Sequence, residues 1–170
     1  MKKRIERSMV GIIFLINGPN LNLLGKRDPE KYGTATLEQI TRQVAKKARK
    51  HGFVVKAFQS NHSGALIDFI QTLGLSEATV LMRGIVLNAG GLTHTDVSLR
   101  DAVDFASSKG VPTVEVHLSN IHKRETFRQV SLLTGVSIDQ VCGLGARSYT
   151  EGLEKLITHL KEMRRKSKKK

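Results

Sequence analysis

Two ionisable side chains with a spacing suited to proton transfer follow one another in a strand-like segment. Glu115 comes two residues before His117 at the end of the apolar segment 112–117, so both side chains are expected on one face of a strand. A carboxylate that accepts a hydrogen bond from the imidazole would set the tautomer of the ring and favour proton transfer. His117 taken alone could equally be a buried histidine whose hydrogen bonds are satisfied in the core.

A long polar segment, residues 16–33, lies between a predicted strand and a predicted helix. It runs for about eighteen residues with little periodicity, where a connection of two to six is usual. It carries Asn20, Arg27 and Tyr32, side chains that can bind ligands or transfer protons. Its Asn-Gly-Pro-Asn sequence at 17–20 is also ordinary turn chemistry. The length favours a lid or a binding element.

Two further polar segments follow predicted strands. Residues 88–95 contain Gly90 and Gly91, which suit a turn or an anion-binding nest of amides but match neither GxGxxG nor a Walker A loop. A nucleotide phosphate site is therefore poorly supported. Arg124 and Arg128 are four residues apart, which would put both on one face of a short helix. They could bind a carboxylate or form a solvated face.

Strand-like and helix-like segments alternate along the chain. The predicted strands are residues 10–16, 53–58, 84–88, 112–117 and 136–142; the predicted helices are 37–51, 63–73 (ended by Gly74), 99–108, a short 125–132, and 147–165. This alternation predicts an α/β, flavodoxin-like, doubly wound five-stranded parallel sheet of strand order 2-1-3-4-5. In such a sheet the polar segments after strands 1, 3 and 4 converge on one crevice.

The net charge of +13 is concentrated at the two ends of the 170-residue chain. Residues 1–7 carry +3 and residues 161–170 carry +6, so we expect a basic N-terminal extension (1–9), a single catalytic domain (10–160) and a basic C-terminal tail (161–170). The tail suits a solvated helix end, although weak binding to RNA is conceivable. With two Tyr and no Trp, platforms for stacking bases are scarce, so no specific nucleic-acid partner is expected.

Hydropathy and cysteine content narrow the class of protein. No apolar run approaches the length of a membrane span, and no signal-peptide pattern is present, so neither a membrane association nor secretion is predicted. The single cysteine, Cys142, excludes an intramolecular disulfide and a multi-cysteine metal site. A cytoplasmic protein is expected.

Five motifs in chain order resemble those of type II 3-dehydroquinate dehydratase. They are NGPNLNLLG at 17–25 with Arg27, Pro29, Tyr32 and Gly33; QSNH at 59–62; NAGGLTHT at 88–95; EVHLSN at 115–120; and GLG at 143–145 with Tyr149. The resemblance runs from about residue 13 to residue 160. It implies a lyase without cofactor or metal, assembled as a homododecamer of four trimers, that converts 3-dehydroquinate to 3-dehydroshikimate in the shikimate pathway.

The resemblance also implies roles for individual residues in an anti elimination through an enolate. Tyr32 matches the base that takes the C2 proton, and Arg27 the cation that favours its phenolate. Asn20 matches the group that stabilises the enolate oxygen. His117 matches the general acid for the departing C1 hydroxyl, with Glu115 orienting it.

The remaining matches concern substrate binding. Groups that hold the substrate's hydroxyls and carboxylate match Asn88, His94, Leu118 through its backbone, Ser119 and Arg128. Arg124 matches a second lid arginine, and Asp101 an acid that reaches a neighbouring subunit's site.

The chain departs from this resemblance in two internal stretches. Residues 75–84 look longer than usual, and Asp139-Gln140 occupies a stretch where the family usually has small residues, without an evident physical reason. A function of another class stays open at this point: a basic, flavodoxin-like module that binds a nucleotide or RNA without catalysis.

Overall fold

Five parallel strands form one sheet in the computed structural model, which describes residues 9–26, 34–76 and 81–167. The strands are β1 (Gly11–Asn17), β2 (Phe53–Gln59), β3 (Met82–Asn88), β4 (Thr113–His117) and β5 (Asp139–Cys142), in the order β2-β1-β3-β4-β5. The helices are α1 (Leu37–Lys50), α2 (Ser63–Leu75), α3 (Val97–Ser108) and α4 (Arg147–Ser167). The predicted flavodoxin-like α/β class and strand order are confirmed.

The sheet is covered on both faces, which is why its central strands are almost continuously apolar. Ile13 and Leu15 of β1 belong to a core shared with α1 and α4. Phe14 and Ile16 point to the other face and pack into a core shared with α2 and α3. The carboxyl ends of β1, β3 and β4 are thereby left as the open edge at which loops can form a site.

The helix boundaries follow local capping chemistry. Thr36 Oγ1 accepts a hydrogen bond from the Gln39 amide at 3.2 Å, and Gln39 Oε1 accepts one from the Thr36 amide at 2.9 Å, so a capping box starts α1 as predicted. Gly52 follows the helix with φ of +81°. In the part of the chain that the structure describes, no helix combines the length and apolarity needed to cross a bilayer.

The prediction that Gly74 ends the second helix is wrong, because α2 continues through it to Leu75. A Cβ atom at Gly74 would lie 2.6 Å from Cε1 of Phe105 on α3. The glycine therefore serves close packing of two helices rather than chain termination.

The chain between β4 and β5 also differs from its prediction. Residues 125–132 do not form one helix; a 3-10 turn covers only Thr126–Arg128, and another covers Thr134–Val136. The fifth strand therefore starts at Asp139 rather than at Val136. The backbone bonds within the segment give the physical reason: the Gln129 amide bonds to the Thr126 carbonyl at 3.2 Å, as in a 3-10 turn, and the Leu132 amide donates to the Thr93 carbonyl of another loop at 2.9 Å.

Candidate active site

A cavity of about 150 Å³ opens at the carboxyl ends of β1, β3 and β4. It lies where a doubly wound sheet is expected to bind its ligand. Its described lining consists of Pro19, Asn20, Leu21, Leu24, Asn88, Gly90, Gly91, His94, His117, Leu118, Ser119, Ile121, Arg124 and Arg128.

The deepest polar feature beside this cavity is the pair formed by Glu115 and His117. His117 Nε2 and Glu115 Oε1 lie 2.6 Å apart, as the two-residue spacing predicted. Glu115 is fully buried and His117 is 5% exposed. A buried carboxylate is stable only when it is paired or hydrogen-bonded, so the contact with His117 stabilises the negative charge of Glu115.

Three neutral donors complete the shell around the Glu115 carboxylate. Ser131 Oγ donates to Oε1 at 2.7 Å, and Thr134 Oγ1 and Gln140 Nε2 donate to Oε2 at 2.9 and 3.0 Å. Burial on its own would raise the pKa of Glu115, but the hydrogen bond and charge of His117, with the bonds from Ser131 and Gln140, hold that pKa below its usual value. The carboxylate is therefore ionised at neutral pH.

The pairing assigns separate tasks to the two ring nitrogens of His117. A carboxylate only accepts hydrogen bonds, so Nε2 must carry a proton toward Glu115. Proton exchange with a ligand in the cavity is then left to Nδ1. Protonation at Nδ1 produces an imidazolium that the adjacent carboxylate stabilises.

The loops after β1 and β3 pack backbone against backbone to form one wall. A Cβ atom on Gly18 would lie 2.3 Å from the Ala89 carbonyl oxygen, so only glycine fits there. Asn20 has φ of +67°, the left-handed region that asparagine tolerates. Its backbone N–H donates to Asn61 Oδ1 at 2.9 Å. This geometry presents Asn20 at the cavity.

A buried chain of hydrogen bonds ties these two loops to α4. The Tyr149 hydroxyl donates to Asn17 Oδ1 at 2.7 Å and accepts from Asn88 Nδ2 at 2.9 Å, and Asn88 Oδ1 accepts from the Gly90 amide at 3.1 Å. Burial raises the pKa of the fully buried Tyr149, although its hydrogen bond with Asn88 opposes the shift. Tyr149 is thus a neutral structural tie that orients Asn88.

Another wall of the cavity carries two arginines and a histidine. Glu125 Oε2 lies 3.3 Å from Arg124 Nε and 3.4 Å from Arg128 Nε, so one carboxylate faces both guanidinium groups. The prediction that a helical face aligns the arginines is wrong, yet both line the cavity. His94 Nδ1 lies 2.7 Å from the Val130 carbonyl oxygen, which only accepts, so Nδ1 carries a proton and donates to it.

The structure brings together eight of the twelve predicted site residues at the cavity. They are Asn20, Asn88, His94, His117, Leu118, Ser119, Arg124 and Arg128. Glu115 lies behind His117, and the Asp101 side chain is 67% exposed on α3 beside Arg100, away from the cavity lining. Arg27 and Tyr32 lie outside the described residues.

Sequence reasoning missed the residues that support the predicted ones. Tyr149 was noted only as part of a motif, and Gln140 only as a departure from a resemblance. Gln140 stands opposite Glu115 in the pairing of β5 with β4, a register that no local pattern reveals. The polar pair Asp139-Gln140 at the start of an edge strand was the available signal.

The assembled groups can perform acid catalysis on an anionic ligand. A histidine backed by a buried carboxylate can supply a proton, the arginines can bind a carboxylate, and the amide of Asn88 and His94 Nε2 can bind hydroxyls.

Comparisons with known proteins give relatives of this chain in sequence and in structure. The family model for class II dehydroquinase matches residues 11–157. The chain is 50% identical over 148 residues to the 3-dehydroquinate dehydratase of Ruegeria pomeroyi, covering 87% of this chain and 94% of that protein. It is 44% identical over 157 residues to the catabolic 3-dehydroquinase of Podospora anserina, covering 88% and 95%. Among solved structures, it superimposes on the type II dehydroquinase of Butyrivibrio crossotus with a TM-score of 0.78 at 35% identity, covering 85% of this chain and 96% of that one.

Proposed function

This chain belongs to the class II dehydroquinase family, and we propose that it is a hydro-lyase that removes water from 3-dehydroquinate by anti elimination through an enolate. The observation that carries the proposed mechanism is the Glu115–His117 pair, 2.6 Å apart beside the cavity. The proposed reaction yields 3-dehydroshikimate and belongs to the shikimate pathway.

His117 is the proposed general acid. It gives the Nδ1 proton to the C1 hydroxyl, which leaves as water, while Nε2 stays bonded to Glu115. The buried carboxylate supports this role because it favours the imidazolium before transfer and keeps the ring oriented afterwards.

Tyr32 is the proposed base, a role that rests on the sequence resemblance alone. It takes the C2 proton as a phenolate that Arg27 favours electrostatically. Removal of this proton beside the ketone builds negative charge on the ketone oxygen. Asn20, at the cavity wall, is proposed to stabilise that oxygen through its amide or a held water.

Substrate binding is assigned to the remaining lining residues. Arg128 binds the substrate carboxylate, with Arg124 closing over it, which their position beside Glu125 supports because that site already accommodates a carboxylate. The substrate's hydroxyls are assigned to Asn88, His94, the Leu118 backbone and Ser119.

Assembly and location complete the proposal. As the resemblance implies, we expect trimers associated into a homododecamer, and the exposed Asp101 side chain is suited to reaching a neighbouring subunit. A cytoplasmic location is part of the same proposal. Residues 10–160 are proposed as the catalytic domain, between the basic extension 1–9 and the basic tail 161–170.

The test is incubation of the purified protein with 3-dehydroquinate while the absorbance of the conjugated enone product is followed. Turnover that is lost in both Tyr32→Phe and His117→Asn would support the proposed roles. A wild-type protein that produces no enone would overturn the proposed activity, and full turnover by either variant would overturn its assigned role.

A further inference from the structure

Gln140 connects the buried acid pair to the protein surface. Its Nε2 donates to Glu115 Oε2 at 3.0 Å and to Thr134 Oγ1 at 2.8 Å, while its Oε1 lies 3.1 Å from His122 Nε2. The hydrogen bonds thus run from Glu115 through the half-buried Gln140 to the exposed His122.

The sheet itself holds Gln140 in this place. Glu115 and Gln140 are paired residues in the parallel register of β4 and β5, so their side chains lie next to each other on one face. The neighbouring Val116 and Val141 are also paired and point into the core shared with α4. The side chain at position 140 therefore lies beside the Glu115 carboxylate.

Only one orientation of the Gln140 amide satisfies all of its neighbours. With Nε2 toward Glu115, the carboxylate receives a donor and the amide oxygen receives the N–H of His122. The reversed amide would direct its oxygen at the Glu115 carboxylate and its NH₂ group at His122. The Glu115 carboxylate, which only accepts, sets this orientation, and His122 reinforces it when its Nε2–H donates to the amide oxygen.

The need for this donor is greatest after proton transfer. When His117 is an imidazolium, Glu115 has a cation beside it at 2.6 Å. Once the proton has left, the carboxylate remains buried and negative with hydrogen bonds alone to stabilise it. Besides the bond from the His117 ring, three side chains supply these hydrogen bonds: Ser131, Thr134 and Gln140.

We propose that Gln140 is a positioning residue for the acid step, which holds Oε2 of Glu115 so that Oε1 stays aligned on His117, and that His122 acts through it. This inference rests on the proposed role of His117 as the general acid. It gives a function to a residue in a stretch where the chain departs from the resemblance to its family.

Gln140→Leu is the primary test, with 3-dehydroquinate as the substrate. We expect kcat to fall about five- to tenfold with KM within about twofold, because the lost bond acts on the acid and not on binding. The acid limb of the pH profile of kcat should move to higher pH, since Glu115 loses a donor to its ionised form. A change in packing alone would leave that limb in place.

Asp139→Asn is the matched control. Asp139 is adjacent on β5 and pairs with Lys155, and asparagine retains the Oδ1 that accepts from the backbone N–H of Gln140. We expect wild-type kcat and an unchanged pH profile. An equal loss in Asp139→Asn and Gln140→Leu would overturn the proposal, because it would trace the effect to the edge strand.

His122→Ala removes the hydrogen-bond partner of the Gln140 amide oxygen and leaves the donors to Glu115 in place. It should lower kcat about two- to threefold, and it should have no further effect in combination with Gln140→Leu, since its action passes through that residue. Because His122 is exposed, this variant stays informative even if Gln140→Leu does not fold.

The two proposals fail in different ways. Absence of turnover by the wild-type protein would remove the proposed function itself. Normal wild-type turnover, with Gln140→Leu and His122→Ala indistinguishable from it in kcat and pH profile, would overturn the positioning role alone.

Discussion

Two parts of the cavity contrast in burial: a buried wall that contains Glu115 and His117, and an exposed wall that contains Arg124 and Arg128. On one wall, Glu115 is fully buried and receives four hydrogen bonds, so His117 has one available arrangement. On the other wall, Arg124 directly follows one short 3-10 turn and Arg128 ends another. Both guanidinium groups face one exposed carboxylate, that of Glu125. The difference supports the proposal that the buried wall transfers the proton and the exposed wall binds the anion.

The same contrast appears in the apolar residues nearby. Leu133, beside the donors to Glu115, is completely buried, whereas Phe127 and Val130, which flank the arginine turn, are each 66% exposed. An exposed turn with few fixed contacts can adjust to a ligand, while a buried pair cannot. Substitutions on the buried wall should therefore lower kcat, and those on the exposed wall should raise KM.

The largest effect is expected from His117→Asn. Loss of a general acid should lower kcat about a thousandfold, with KM changed much less. Steady-state assays of enone formation measure both constants. His159→Asn, on α4, is the control and should retain wild-type kcat; a His117 variant that loses affinity but keeps kcat would reverse the proposed division between the walls.

Glu115→Gln should lower kcat about a hundredfold, because the imidazolium loses its counter-charge and its orienting acceptor. It also makes a prediction for stability. The pKa of Glu115 is below its ordinary value of 4.5, so the ionised carboxylate stabilises the fold above that pH and the contribution is lost as the pH falls toward the folded-state pKa.

Urea unfolding of the wild type and Glu115→Gln between about pH 3 and pH 6 measures this contribution. The free energy of unfolding of the wild type should fall more steeply below pH 4.5 than that of the variant. Parallel curves would show that folding leaves the pKa of Glu115 unchanged and would contradict this prediction.

Arg128→Lys tests the exposed wall. Lysine keeps the charge but loses the planar pair of donors, so KM should rise about tenfold while kcat stays within about threefold. Arg42→Lys, on the exposed side of α1, is the control and should leave both constants unchanged. A loss of kcat with an unchanged KM would show that Arg128 acts in the chemical step rather than in substrate binding.

Tyr149→Phe should have the smallest catalytic effect and a clear effect on stability. It leaves Asn17 without a donor and Asn88 without an acceptor, both at most 2% exposed, which should cost about 2 kcal/mol of unfolding free energy. Urea unfolding measures this loss, and kcat/KM should fall only a few-fold. Wild-type stability would contradict a tie between the two loops and α4.

Much of this architecture was predictable from local periodicity. The alternation of strands and helices indicates the strand order, and the two-residue spacing of Glu115 and His117 indicates their shared face. The shared face follows from a regularity that acts over a few residues, and the strand order follows from the alternation together with the right-handed crossovers of parallel sheets.

The supporting shell was not predictable in this way. Gln140 reaches Glu115 through the register between two strands, 25 residues apart in the chain. Tyr149 bonds Asn17 across 132 residues. Gly74 resembles a helix terminator in sequence, but its role is set by Phe105 on another helix. These contacts depend on tertiary packing, which local propensity does not contain.

The central claim is that Glu115 and His117 act as one proton-transfer unit. The most direct test compares kcat for His117→Asn, Glu115→Gln and the double variant with saturating 3-dehydroquinate. The account predicts that the double variant has the kcat of His117→Asn alone, because Glu115 has no further effect once the imidazole is absent. A double variant that is about a hundredfold slower than His117→Asn would contradict it and show that Glu115 acts independently of His117.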